Sequence, residues 1–287
     1  MRKIEKRPRI GAHLSIGRGL DKTADEAVDR GLETLQIFLR NPRGRGARQF
    51  STRETDHFIE KLGDNNITPL AVHIPYICNP AAVKEDLYQF AWETIQHDLQ
   101  RCSLVRADFL VLHPGSFTTS SLEAGIERTA ALLKRVLSEY QGDTMILLET
   151  MAGQGTEIGS NFDELFSILE LVDRYDKMGI CLDTCHLLAA GYDCSSDRGI
   201  DHILEQAAGS FGIDKIRLIH ANDSNTPLAS RKDRHSHIGQ GFIGSEGFAR
   251  MMQNQLLRGI PFIVETPEEG LQEDIDNLKK LREQITH

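Results

Sequence analysis

Three successive stretches decide the fold: Met145–Glu149 (MILLE), Asn161–Val172 (NFDELFSILELV) and Gly179–Asp183 (GICLD). The first and third are short apolar runs, of the length that suits strands buried on both faces of a parallel sheet. Between them stands Asn161, a helix-capping residue type. After it, Phe162, Leu165, Phe166, Leu169 and Val172 recur at helical spacing on one face. The stretch therefore predicts strand, helix, strand. Six runs of the same kind lie outward from it: Arg9–His13 (RIGAH), Leu35–Leu39 (LQIFL), Leu70–His73 (LAVH), Phe109–His113 (FLVLH), Ile216–His220 (IRLIH) and Pro261–Glu265 (PFIVE). Helix-period segments separate them at Lys22–Arg30, Thr52–Leu62, Ala81–Arg101, Ser121–Tyr140, Ile200–Phe211, Ser245–Leu257 and Gln272–Gln284. Strand–helix units repeated at a spacing of roughly 35 residues predict a (β/α)8 TIM barrel of the α/β class. We expect one domain over residues 1–287, with its active site at the C-terminal ends of the strands. No G-x-G-x-x-G follows a strand, so a nucleotide-binding doubly wound sheet has no support.

Composition narrows the function classes. The 287 residues are 40% hydrophobic and 26% charged, which excludes disordered and fibrous chains. No apolar run is long enough for a transmembrane helix, so no membrane partner is expected. Met1–Ile10 is basic with no apolar stretch behind it, which does not read as a secretory leader. The 5 cysteines are an odd number without a C-x-x-C pair, as in reduced thiols, and a cytoplasmic location is expected. A net charge of −9 counts against non-specific nucleic-acid binding, which needs a basic footprint.

The polar residues repeat a pattern. Six runs end in a potential metal ligand: His73, His113, Glu149, Asp183, His220 and Glu265. A barrel brings the carboxyl ends of its strands together on one face. A buried ring of imidazoles and carboxylates is costly unless a cation holds it. In C-L-D-T-C-H, His186 follows Asp183 by three residues, and in S-R-K-D-R-H-S-H, Asp233 and His235 lie two apart after the seventh run. A spacing of two puts both side chains on one side of an extended loop. On spacing alone, His237 could replace His235. Imidazole mixed with carboxylate favours zinc or another first-row metal over magnesium, and so many ligands suit two or three ions. His13 also ends a run but lacks a close partner, which suits a supporting or core role. His57, His97, His202 and His287 read as surface. Cys181 reads as packing within its run, with thiolate ligation by Cys181 or Cys185 the lesser alternative.

The sequence resembles the endonuclease IV family of zinc-dependent apurinic/apyrimidinic DNA endonucleases, from about Ile10 to Thr266. The resemblance rests on G-A-H-L-S (11–15), I-F-L-R-N-P-R (37–43), H-I-P-Y-I-C-N (73–79), L-H-P-G-S (112–116), E-T-M-A-G-Q-G (149–155), C-L-D-T-C-H-L-L-A-A-G-Y-D (181–193), H-A-N-D-S (220–224), D-R-H-S-H-I-G-Q-G-F-I-G (233–244) and V-E-T (264–266). It implies three Zn2+ per chain. The first would be held by His73, His113 and Glu149. The second would share Glu149 and add Asp183, His220 and Glu265. The third would use His186, Asp233 and His235, which selects His235 over His237.

The resemblance also implies an activity. The family cleaves the phosphodiester 5′ to an abasic site, leaving a 3′-hydroxyl and a 5′-deoxyribose phosphate, and removes blocked 3′ ends. The expected partner is double-stranded DNA carrying such lesions, met by a monomer. Glu149 and Glu265 would be the catalytic carboxylates, and Arg43, Tyr76 and Ile77 match the DNA-penetrating positions. Three zinc ions would take the net charge from −9 to about −3. Basic loops containing Arg40, Arg43, Arg45 and Arg48, and Arg231, Lys232 and Arg234, would border the crater. Cys78, Pro80 and the Gly/Arg-rich stretch 43–50 depart from the family pattern in the expected DNA-contact loops. Two alternatives stand beside this reading. A metal-dependent sugar isomerase or epimerase of the same fold would not need the D-R-H site. A lesion-binding protein without catalysis would not be expected to keep every ligand.

Overall fold

The computed structural model describes residues 7–41, 44, 46–174 and 176–284. Its elements run β1 (Ile10–Leu14), α1 (Leu20–Asp29), β2 (Thr34–Ile37), α2 (Thr52–Asp64), β3 (Leu70–His73), α3 (Glu85–Val105), β4 (Phe109–Leu112), α4 (Leu122–Glu139), β5 (Met145–Glu149), α5 (Phe162–Val172), β6 (Met178–Asp183), α6 (Thr184–Ala190), α7 (Asp197–Gly209), β7 (Ile216–His220), β8 (Asp223–Ser224), β9 (His235–Ser236), α8 (Gly244–Gln253), β10 (Phe262–Val264) and α9 (Leu271–Glu283). Eight parallel strands close into a barrel in the order β1-β10-β7-β6-β5-β4-β3-β2, while β8 and β9 pair separately as an antiparallel ribbon. Among the described residues no helix is long and apolar enough to cross a membrane.

Side-chain alternation positions the site. Successive strand residues point to opposite faces. Leu110, Leu112, Ile146, Leu148, Ile180, Leu182 and Ile219 face outward into the layer shared with the helices. Ala71, Val111, Leu147, Cys181, Leu218 and Ile263 face inward and fill the barrel below the site. Each inward residue is followed two positions later by His73, His113, Glu149, Asp183, His220 or Glu265. Period two therefore sets all six on the inner face, one layer nearer the C-terminal rim. His73, Glu149, Asp183 and His220 are the last residues of their strands, and His113 and Glu265 come one residue past theirs.

Capping explains where most helices start. Ser51, Ser121, Asn161 and Ser196 each accept a bond from the backbone N–H three residues on, satisfying a donor that the first turn leaves free. At Asn161 the cap is doubled: Oδ1 accepts the Glu164 amide at 3.0 Å and Nδ2 donates to the Glu164 carboxylate at 2.6 Å. Several helix bounds shift from expectation by up to four residues, as where α8 ends at Gln253 rather than Leu257, and two departures have a visible cause. The third helix starts at Glu85 rather than Ala81, because Asn79 Oδ1 takes the amides of Ala81 and Ser116 at 3.0 and 2.9 Å and holds that stretch as a loop. The short α6 is not legible in the apolar pattern, because β6 runs into it with no intervening loop.

Candidate metal centre

At the bottom of the crater, Glu149 stands between two groups of ligand atoms. Its Oε2 lies 2.9 Å from His73 Nε2 and 3.3 Å from His113 Nε2. Its Oε1 lies 3.1 Å from His220 Nδ1. That same nitrogen is 3.2 Å from Glu265 Oε2 and 3.9 Å from Asp183 Oδ2. One atom each from His73, His113 and Glu149, and one each from Glu149, Asp183, His220 and Glu265, fall within 4.8 Å of one another. A carboxylate with one oxygen toward each group can bridge two cations.

The upper part is built by local structure. Asp183 ends β6 and caps α6, its Oδ1 accepting from the His186 amide at 2.8 Å. That cap fixes the three-residue spacing of Asp183 and His186. Across the rim, β8 and β9 pair Ser224 with His235 and so bring the D-R-H loop inward. Asp223 accepts from the amides of Gly239, Gly241 and Ile243 at 3.0, 3.0 and 2.9 Å, folding the loop that follows. Asp233 then lies 3.4 Å from His186 Nε2 and 3.2 Å from His235 Nε2. An inner group of Asp183, His186 and His235 also has ligand atoms within 4.8 Å.

The donor set fits cations. A carbonyl oxygen only accepts, so the 2.8 Å contact of His186 Nδ1 with the Thr150 carbonyl places a hydrogen on Nδ1 and leaves Nε2 as the lone pair. His73 does the same through the Ile74 carbonyl at 2.6 Å. His186 Nε2 and His235 Nε2 are buried with no aligned hydrogen-bond partner, although carboxylates stand nearby. Buried nitrogens left without partners are expensive unless a metal uses them. The electrostatics agree. Burial opposes ionisation of Glu149, yet the charges of His220 and His113 outweigh it and hold the carboxyl well below its usual range. Burial likewise opposes protonation of His235, but the Asp233 hydrogen bond and the Asp183 and Asp233 charges raise it to about 9. His186 and His220 are raised by their carboxylates in the same way, against burial. Cations supply the positive charge that protons would otherwise bring.

The other expected residues divide. Cys181 packs inside the barrel, and burial pushes its thiol up to about 12. Cys185 lies near Asp233 and His235, but burial holds it as a thiol at about 12 as well. His57, His97 and His202 are exposed as expected, while His287 lies outside the described residues. Tyr76 is 60% exposed beside the crater, and Ile77 is 40% exposed next to it. Arg43 and Arg45 lie outside the described residues.

One expectation about the basic loop is corrected. Arg40 does not border the crater: it is buried and grips Asp98 of α3 through Nε and Nη2 at 2.9 and 2.7 Å. Arg48 is occupied by Glu54. Cys78 and Pro80 are buried packing residues of the loop after β3.

Sequence reading missed two residues that hold Glu265. Asn222 donates through Nδ2 to Asp183 Oδ2 at 2.7 Å and to Glu265 Oε2 at 3.3 Å. Gln36 Nε2 donates to Glu265 Oε1 at 2.6 Å. The signal for Gln36 was present: it is the inward position of β2, matching the ligand positions on other strands.

Fold and site together define a metal-dependent enzyme of the (β/α)8 class. The family described as xylose isomerase-like TIM barrel matches residues 24–281. Over 276 residues the chain is 42% identical to a probable endonuclease 4 of Carboxydothermus hydrogenoformans, covering 96% of this chain and 97% of that protein. The crystal structure of endonuclease IV from Thermus thermophilus superposes with a TM-score of 0.84 at 33% identity, covering 96% of this chain and 98% of that one. A D-tagatose 3-epimerase-like protein superposes with a TM-score of 0.74 at 20% identity, over 96% of this chain and 98% of its own, a likeness of fold alone. The chain belongs to the endonuclease IV family.

Proposed function

We propose that this chain is a DNA-repair endonuclease that hydrolyses the phosphodiester 5′ to an abasic site, leaving a 3′-hydroxyl and a 5′-deoxyribose phosphate, and that it also clears blocked 3′ ends. The observation that carries the reading is Glu149, with one oxygen toward His73 and His113 and the other toward His220. It works as one domain, a cytoplasmic monomer, on double-stranded DNA. The crater would hold three zinc ions: His73, His113 and Glu149 would hold one, Glu149, Asp183, His220 and Glu265 a second, and His186, Asp233 and His235 a third. Bound zinc acidifies water to a pKa of about 7 and neutralises phosphate charge.

The chain's own residues do the rest. Glu149 fixes the spacing of two sites through its two oxygens. Glu265, held by Gln36 and Asn222, points one carboxylate edge at the reaction centre and orients the attacking water. Asp233, in the loop just before β9, and His235, on the β8–β9 ribbon, receive the phosphate side of the substrate. This extra cluster favours phosphodiester hydrolysis over sugar epimerisation, which needs no such site. Tyr76 and Ile77 are exposed above the crater, where they fill the gap left when the lesion is extruded, with Arg43 assigned to the same role.

The test is nicking of a duplex with one synthetic abasic site, before and after removal and restoration of zinc. Incision 5′ to the lesion that disappears with chelation and returns with zinc is expected. Absence of incision by the zinc-loaded chain overturns the reading.

A further inference from the structure

We propose that Gln36 is a positioning residue that makes ligands of Glu265 and His220, by fixing which atoms of each face the metal ions. The inference rests on the metal-centre reading above. Gln36 is fully buried in β2. Its amide makes three contacts: Nε2 with Glu265 Oε1 at 2.6 Å, Nε2 with His13 Nδ1 at 2.9 Å, and Oε1 with His220 Nε2 at 2.9 Å.

The orientation of the amide follows from chemistry. A carboxylate accepts and does not donate, so the end toward Glu265 is the NH2. Its second N–H then goes to His13 Nδ1. The carbonyl end is left facing His220, so His220 Nε2 must carry the hydrogen. Once His220 is neutral its lone pair is confined to Nδ1, the atom beside Glu149, Glu265 and Asp183. Gln36 thus does for His220 what the Ile74 and Thr150 carbonyls do for His73 and His186. It also occupies Glu265 Oε1, which leaves Oε2 toward the ions. Both N–H groups and the carbonyl are used, and no other side chain contacts His13, His220 and Glu265 together in this way among the described hydrogen bonds. With an apolar residue at position 36, His220 Nε2 loses its partner and Glu265 Oε1 keeps only the longer 3.5 Å approach of His13 Nδ1, so both are freer to turn.

Gln36→Met keeps the volume and removes every hydrogen bond, while Gln36→Glu keeps an acceptor for His220 but no donor for Glu265. The full-length chain is stripped of metal and titrated with Zn2+ against a chromophoric chelator. A parallel sample is loaded with Co2+ for its visible spectrum. Gln36→Met is expected to weaken one bound ion by roughly 10- to 100-fold and to alter the Co2+ absorption. Its metal-free melting temperature should fall by no more than about 10 °C, the range expected for buried hydrogen bonds lost without a change of fold. Gln36→Glu should recover part of the lost affinity. Affinity in Gln36→Met within about twofold of the parent overturns the proposal. So does a metal-free melting temperature that falls well beyond that margin, since the role would then be structural. A parent chain that takes up no zinc in the same titration overturns the metal centre itself, which separates the two failures.

Discussion

His237 is bound to Asp274 through Nδ1 at 2.7 Å, and this contact removes it from competition with His235 two residues earlier. Asp274 is buried in α9 and also accepts the Ile238 amide at 2.7 Å, so His237 is turned toward the helix layer while His235 faces the crater. His235→Ala is therefore expected to lower metal content, and His237→Ala to lower stability by about 1–3 kcal/mol with metal content kept. Elemental analysis and denaturant unfolding of the two variants side by side distinguish them. The reverse order would assign the wrong histidine.

Glu265→Gln retains the shape and the approach of Gln36 but loses a negative charge at the second site. Cleavage of abasic duplex is expected to fall by more than about 100-fold, beyond the range for residues that only support a ligand. Binding to the same duplex at matched salt should change little, because Glu265 lies on the crater floor rather than on the rim. Single-turnover nicking and a gel-shift titration check the two halves. Near-normal turnover at unchanged metal content would refute the assigned role.

The metal-free chain should be less stable in alkali. His235 titrates near 9 in the folded chain, above its ordinary 6.5, because burial is outweighed by Asp233 and Asp183. A raised histidine contributes stability that is complete below about pH 6.5 and lost as pH rises through about 9. His186 and His220 act in the same direction. Zinc must displace these protons, so its affinity should rise over the same window. Urea midpoints of the chelated parent and of His235→Ala, compared at both ends, isolate the contribution. The parent's advantage should shrink toward the alkaline end. A constant or growing advantage would contradict the assigned coupling.

Arg40 and Asp98 set the root of the segment after β2. The pair is buried and joined by two short bonds, and Arg101 adds a bond from α3 to the Leu39 carbonyl. Removing one member leaves a buried charge alone, at a cost of about 3–5 kcal/mol. Asp98→Ala is expected to lose that much in chemical denaturation while the metal ligands stay in place. A change below about 1 kcal/mol would mean that water replaces the carboxylate there.

The barrel was legible in one dimension, because eight apolar runs with helix-period segments between them leave few other ways to bury both faces of every strand. So was the ring of potential ligands, since each closes a run and the strands of a barrel end together. His73, Glu149, Asp183 and His220 stand where that reading puts them. What escaped it was orientation and partnership. Gln36 occupies the same inward register as the ligands, but its use depends on His13, Glu265 and His220, which come from three other strand–loop units. Arg40 reads as part of a basic loop until Asp98, 58 residues away, is placed beside it. His235 and His237 differ in spacing from Asp233 by one alternation, which spacing alone does not resolve; the family resemblance chooses His235, and the β8–β9 pairing and the position of Asp274 give the physical reason. Periodicity is a local property and survives in the linear chain. The choice of which nitrogen, which oxygen and which arginine does the work belongs to contacts between distant segments, which exist only once the barrel has closed.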